Sequence, residues 1–340
     1  MEKIKKIFRP YYIKLFDYKR TMNNQVELIK NFIKDYNLYK KYSIVFKKSD
    51  IKNKEADIIL QYHSIEKGML FSSMKEGFAK YRIKNLHKLL TDEEVLNHNN
   101  RSQIQVAYKV MCQYYDLHKT KGFDIEDIYS QEQYNFYKSQ IISTDVESFS
   151  GFVVWTLDDF YNTNDKDFLH FAHSRKSTRE FTGEVFSIEL IEKVVHLANT
   201  APSVCNRQAS NVYLLEDKTK IDEVLEIQGG FAGYTENVNQ LLILTNDRKY
   251  YYTVGERNQL YIDGGAYLLN LLYALHYYKI GNCPANWGKI FKDEERLSKI
   301  ITIPKSEKII CMIPIGKLSN KFRTTLSQRR IITENFIRLN

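Results

Sequence analysis

The stretch from Arg257 to Lys279 sets the tightest limit on what this chain can fold into. Its spacing predicts one long helix whose centre, Leu268 to Leu275, is apolar nearly all round. A helix without a broad polar face must be enclosed by other layers rather than lie on a surface. Short runs on either side supply those layers. Asn211 to Glu216, Gln240 to Thr245 and Lys308 to Ile315 read as strands, the last two buried. Ile188 to Asn199 reads as an amphipathic helix with Ser187 as its N-cap and Leu190, Val194, Val195 and Ala198 on its apolar face. Lys218 to Ile227 and Glu294 to Ile300 read as two further helices. Helices alternating with few strands predict an α+β fold, an α/β sandwich rather than a long doubly wound sheet.

Nothing before residue 150 reads as a strand. Residues 17–47 carry Val26, Ile29, Phe32, Ile33, Tyr36 and Tyr39 at helical spacing, and 54–70 form a second helix that stops near Gly68. Further helices are expected over 80–90, 99–121 and 126–140. The 340 residues therefore divide into a mostly helical N-terminal region, 1–165, and an α+β domain, 166–340.

Composition narrows the function. A hydrophobic share of 43% supports a sizeable core. Cys112, Cys205, Cys283 and Cys311 are too scattered for a disulfide framework and form no Cys-x-x-Cys pair, which points to a reduced, soluble, cytoplasmic protein. No apolar run approaches the ~18 residues of a bilayer span, so no integral membrane segment is expected. Met1 to Phe16 is basic and aromatic without the apolar stretch of a signal peptide; it reads as a solvated first helix, an amphipathic membrane-surface helix being the alternative. Most of the +9 formal charge falls in the first 150 residues, with Tyr36, Tyr39 and Tyr42 interleaved. The cations alternate with acids, however, and no nucleic-acid partner is expected. His170 and His173 share a helical spacing, but no carboxylate or Cys stands at ligand distance in sequence, so no metal site is expected. Gly281 to Lys289 is not a phosphate loop: its glycines are too far apart, and Ile290 stands where Ser or Thr would bind magnesium.

Three segments carry chemistry. Ser174 to Phe181 packs Arg175, Lys176 and Arg179 among hydroxyls, a dense set of donors for a phosphate. Ala201 to Gln208 is a polar loop between a helix and a strand. Gly281 to Gly288 is a turn-rich loop directly after the long helix.

In order and spacing these segments resemble the FMN-dependent nitroreductase family over residues 168–340. The family's R-x-S-x-R/K-x-F opening is matched by Arg175, Ser177, Arg179 and Phe181, and its A-P-S-x-x-N-x-Q by Ala201, Pro202, Ser203, Asn206 and Gln208. Ile313 to Gly316 and Arg329-Arg330 match its closing strand and basic pair. The resemblance implies a nitroreductase-like fold and an oxidoreductase that passes hydride or electrons from NAD(P)H through bound FMN to a small-molecule acceptor. It implies that Arg175, Ser177 and Arg179 hold the ribityl phosphate and pyrimidine edge, and that Arg330, with Arg329, completes a phosphate clamp. Pro202, Ser203 and Asn206 are then expected to reach the flavin of a second subunit in a homodimer, with the long helix as its central interface element. Pro284, Ala285 and Asn286 are expected to line the flavin ring. No acid–base residue is demanded, so none is nominated as catalytic. The chain departs from the family at Ala209-Ser210, where Pro-Trp is common, and at Gln328, where a basic residue is frequent.

Two further segments, Gly255 to Gln259 and Ile262 to Gly265, are similar to a subgroup associated with surface-polysaccharide gene clusters, as is His63-Ser64-Ile65-Glu66-Lys67-Gly68. On a helix His63, Glu66 and Lys67 share one face. They are expected to contact substrate over the flavin pocket, the alternative being a solvated face of paired charges. The reading of another class is a catalytically silent flavin-fold module that binds a partner or regulates.

Overall fold

The computed structural model describes residues 17–33, 36–37, 40, 46, 50–71, 73–142, 151–162, 166–251 and 253–339. Met1 to Phe16 lies outside them. The first described helix, α1, covers residues 17–33 and leaves Val26, Ile29, Phe32 and Ile33 exposed.

The next body is all helical. Asp50 caps α2 (Ile51–Gly68) by accepting from the backbone N–H groups of Lys52 and Asn53. There follow α3 (Lys80–Leu90), the single turn α4 (Glu93–Leu96), α5 (Ser102–Thr120) and α6 (Gln131–Gln140), the last opened by a Ser130–Gln133 capping box. Their apolar stripes meet in one core built on Ile58, Ile65, Ile83, Leu86, Tyr108, Met111 and Tyr129.

The second body is the α+β sandwich. Its sheet runs β2 (Ser210–Leu215), β3 (Gln240–Asp247), β6 (Glu307–Gly316) and β4 (Gly281–Asn282), with β5 (Ala285–Asn286) also on β6 and every pairing antiparallel. Strand alternation sorts the core. Leu241 and Ile243 face α10 (Lys218–Gln228) and α12 (Phe291–Leu297), while Leu242 and Leu244 face α9 (Ile188–Ala198) and α11 (Gln259–Tyr277). Ser187 caps α9 as its sequence predicts, accepting from Leu190 N.

The long helix differs from expectation. One face of α11 is enclosed by sheet and α9, but Tyr261, Ile262 and Leu269 are exposed. Ile262, Gly265 and Leu269 fall three and four residues apart and form an outward apolar stripe. The reason is geometric: the sheet covers one flank of this helix and α9 another, which leaves a third without a layer.

A small second sheet pairs β1 (Phe152–Thr156) with β7 (Lys321–Thr325). The helix that follows β1, α7 (Leu157–Tyr161), sends Phe160 and Tyr161 into the core of the α+β body. Structure from 152 to 161 therefore packs with residues beyond 165. Among the described residues, no helix is long and apolar enough to cross a membrane.

Candidate functional site

The Ser174–Phe181 segment crosses from α8 (Phe168–Ser174) to the sheet, fastened at both ends. Ser174 Oγ lies 2.7 Å from His276 Nε2 on α11. Thr178 donates its backbone N–H to Asn282 O at 2.8 Å, and its Oγ1 accepts from Asn282 N at 2.8 Å. Phe181 then lies so close to Gly316 that a Cβ there would fall 2.7 Å from it, which is why β6 ends on glycine. Between these fastenings lie Arg175, Ser177 and Arg179, and the charges of both arginines act on the buried thiol of Cys283.

The charges gathered here are nearly all of one sign. Burial pushes Arg175 below its ordinary value, with Arg329 acting the same way. Burial also lowers Lys176, helped by Arg329 and Arg175. Lys67, from the last turn of α2, is lowered by burial and then by the adjacent Arg179. Burial raises the Cys283 thiol, while Arg179, Lys67 and Arg175 pull against it. The nearby carboxyl group of Glu180 is raised by burial, with Arg323 opposing.

Hydrogen bonding makes the same point. Arg175 Nη1, Arg179 Nε and Arg179 Nη1 are buried donors without a partner. Leaving such groups unpaired costs on the order of 1–3 kcal/mol each, more for charged ones. A cluster of unpaired guanidinium donors is suited to an anion that supplies the missing acceptors.

The remaining expected residues divide between two places. Pro284, Ala285 and Asn286 continue directly from Cys283 along β6; Asn286 is exposed, and its carbonyl accepts from Gln228 Nε2 at 2.9 Å. The Ala201–Gln208 loop lies at the opposite end of the sheet. Its Val204 N–H donates to Asp263 Oδ2 at 3.2 Å, and Arg207 forms a two-pronged pair with Glu256 at 2.7 and 3.0 Å. Within the loop, Ser203 Oγ accepts from Gln208 N, and Cys205, Asn206 and Gln208 take left-handed backbone angles. Pro202 and Ser203 line a cavity of about 170 Å³ with Asp263 and Tyr267.

The separation follows from strand register. Asn282, bonded to Thr178, pairs with Ile315, whereas Ser210, just after the loop, pairs with Asn246 and through it with Lys308. Seven positions of β6 at roughly 3.3 Å each put about 23 Å of strand between Asn282 and Ser210, whereas Asn286, paired with Cys311, is three positions, about 10 Å, from the same point.

The terminal arginines part company. The charge of Arg329 acts on Arg175 and Lys176. Arg330 turns the other way, to Glu55 Oε2 at 2.8 Å and Glu334 Oε2 at 3.3 Å. Of the α2 residues, His63 Nδ1 meets Glu66 Oε2 at 3.1 Å, Glu66 is buried, and Lys67 joins the cluster. Lys176, one of the three cations of the donor-rich segment, joins the cluster as well, and the buried Cys283, which no spacing in the sequence marks, lies within reach of its charges.

Residues 172–238 match the family described as the Nitroreductase family. That span holds the Arg175–Phe181 and Ala201–Gln208 motifs but neither the Gly281 loop nor the terminal arginines. Among solved structures, the chain is similar to a nitroreductase-like protein from Streptococcus mutans, at 19% identity over 51% of this chain and 98% of that one, with a TM-score of 0.44. It is also similar to an FMN-dependent nitroreductase from Clostridium difficile R20291, at 14% identity over 50% of this chain and 97% of that one, with a TM-score of 0.40. No curated protein matches the chain.

Proposed function

We propose that this chain is an FMN-dependent oxidoreductase of the nitroreductase type, a soluble cytoplasmic homodimer that takes reducing equivalents from NADH or NADPH. The observation that carries the reading is the set of buried, unpaired donors on Arg175 and Arg179 inside the segment that matches the Nitroreductase family. A phosphate monoester needs several fixed cations, and a flavin ring needs apolar walls with a few edge hydrogen bonds.

In this reading Arg175 and Ser177 hold the phosphate with Lys176 and Arg329, and Arg179 meets the pyrimidine edge. Arg330 serves the clamp indirectly, by anchoring the arm that carries Arg329. Pro284, Ala285 and Asn286 wall the ring through backbone groups. The loop holding Pro202, Ser203 and Asn206 stands about 23 Å by strand length from Asn282, to which the Arg175–Arg179 segment is fastened. As the resemblance implies, the loop is taken to meet the flavin of a second copy. When bound, FMN supplies the hydride and electron transfer. The resemblance of 63–68, 255–259 and 262–265 to proteins of surface-polysaccharide gene clusters supports a small-molecule acceptor in that metabolism.

The test is to purify the protein, record its flavin absorbance, and add NADH or NADPH without oxygen. A yellow protein that bleaches, and an Arg175→Glu variant that folds but holds no FMN, are expected. Colourless protein that cannot be reconstituted with FMN would instead support a partner-binding module without turnover.

A further inference from the structure

We propose that Lys67 is a flavin-site residue, a cation that the N-terminal helical region places at the pyrimidine end of the pocket. This rests on the flavin reading above and adds a residue far outside the segment that matches the Nitroreductase family.

The last turn of α2 is held on every side that could move it. A Cβ on Gly68 would fall 2.2 Å from the Phe78 ring, so the ring packs tightly against the helix end. Glu66 is 1% exposed and pairs with His63. Tyr234 Oη donates to Lys67 O at 3.0 Å, Phe71 stacks on Tyr234 at 4.7 Å, and Arg323 Nη1 donates to Leu70 O at 3.1 Å. Tyr234 and Arg323 both belong to the α+β body. The backbone at Lys67 is therefore fastened to the α+β body and forms part of a wall there.

On this wall Lys67 is half-buried, and the charge that acts on it most is the Arg179 guanidinium. Arg179 is 9% exposed and has two unpaired nitrogen donors, and its charge acts on Lys67. Among the described residues, no carboxylate forms an ion pair with either. Like charges held together in a partly desolvated place repel, and the arrangement becomes favourable only when electron-rich atoms of a ligand lie between them. The charges are shared out along the segment. Arg175, Lys176 and Arg329 act on one another, whereas Lys67 acts on Arg179. With the phosphate held by Arg175, Lys176 and Arg329 in the reading above, Lys67 with Arg179 is left to the ring.

The experiment compares FMN and riboflavin, which share the ring and differ in the phosphate. Apo-protein is titrated with each, following flavin fluorescence, for wild type, Lys67→Met, Lys67→Arg and Arg175→Glu, and the midpoint potential of the bound flavin is measured. Lys67→Met should weaken both ligands by a similar factor, about tenfold. Its bound flavin should be harder to reduce, because a cation at the ring edge favours the more negatively charged form. Lys67→Arg should restore much of both effects. Arg175→Glu should weaken FMN by at least about tenfold while riboflavin changes little. Melting midpoints and circular dichroism report folding separately. Wild-type affinities and potential in folded Lys67→Met would overturn the proposal, as would a loss confined to FMN. If wild type binds neither ligand, the flavin reading itself fails, an outcome distinct from a failure at Lys67 alone.

Discussion

Ser174 Oγ and His276 Nε2 stand 2.7 Å apart, and this contact ties the start of the cation cluster to the far end of α11. The same helix holds Asp263, which accepts from the Val204 N–H of the distant loop. Thirteen residues at 1.5 Å each make α11 a spacer of about 20 Å between the two segments. The helix therefore fixes both halves of the candidate site, each through a buried polar side chain on an otherwise apolar element.

His276 gives the protein a predictable acid sensitivity. It is 1% exposed, and burial, with Arg175 and Lys176 adding to it, pushes its pKa down to about 3. The unfolded chain takes up this proton near pH 6.5, the native chain only near 3. Between those values the unfolded state binds more protons, so stability is full above about pH 6.5 and falls as pH falls toward 3. The slope from this group is roughly 1.4 kcal/mol per pH unit inside the window. His276→Gln should lose about 1–2 kcal/mol at pH 7 but show a visibly flatter decline in unfolding free energy from pH 6.5 to 4. Equal slopes in urea titrations of the two proteins would remove His276 as the cause.

A second prediction concerns the arm that carries Arg329. Glu55 is 1% exposed and receives Arg101 at 3.0 and 2.8 Å and Arg330 at 2.8 Å. Arg330→Ala leaves Glu55 paired with Arg101 and should cost about 2 kcal/mol, whereas Glu55→Ala strands two guanidinium groups and should cost about 3–5 kcal/mol. Arg330→Ala should also lower FMN retention by freeing the arm, and Arg329→Ala should lower it with little change in stability. Urea unfolding and flavin content read the two effects separately. If Arg329→Ala retained FMN at wild-type occupancy, Arg329 would not belong to the clamp.

The sandwich was legible because period-two apolar strands such as Leu241–Leu244 and helices such as α9 carry their burial pattern locally. The β1–β7 pair was not, since Phe152–Thr156 is short, half exposed, and finds its partner far along the chain. That pairing also brings β1 and α7 into the α+β body, ahead of the division expected at residue 165. The motif at Arg175–Arg179 was readable from its density of donors. The parting of Arg329 from Arg330 was not, because adjacent cations look alike until Glu55 supplies a partner for one of them. The apolar pattern of α11 was read as core on all sides, and only the packed structure shows which flank lacks a neighbour.

Gly68 offers a sharp structural test of how α2 is seated. With its Cβ position 2.2 Å from the Phe78 ring, Gly68→Ala must push that ring away from Tyr114 and His118, which it contacts at 5.0 and 5.6 Å between centroids. Overpacking of this kind costs about 1–3 kcal/mol. Adding Phe78→Leu to Gly68→Ala should recover part of the loss, although Phe78→Leu alone is destabilising. A double-mutant cycle by urea unfolding measures this, and strictly additive losses would mean that the two residues do not press on each other.

The last prediction follows from the exposed stripe on α11. Ile262 is 63% exposed and Leu269 50%, and both lie on the flank that neither sheet nor α9 covers. If two copies meet there, as proposed, each apolar side chain leaves water on association, and a carboxylate in its place must be desolvated without a partner. Ile262→Asp with Leu269→Asp should therefore give a folded monomer by light scattering at micromolar concentration. Because the loop with Pro202, Ser203 and Asn206 would come from the other copy, that monomer should also lose FMN, although Arg175 and Arg179 are untouched. Arg175→Glu should show the converse, a dimer without flavin. The two variants separate assembly from cofactor binding. A double variant that stays dimeric would move the interface away from α11, and a monomer that keeps FMN at wild-type occupancy would show that one chain completes the site alone.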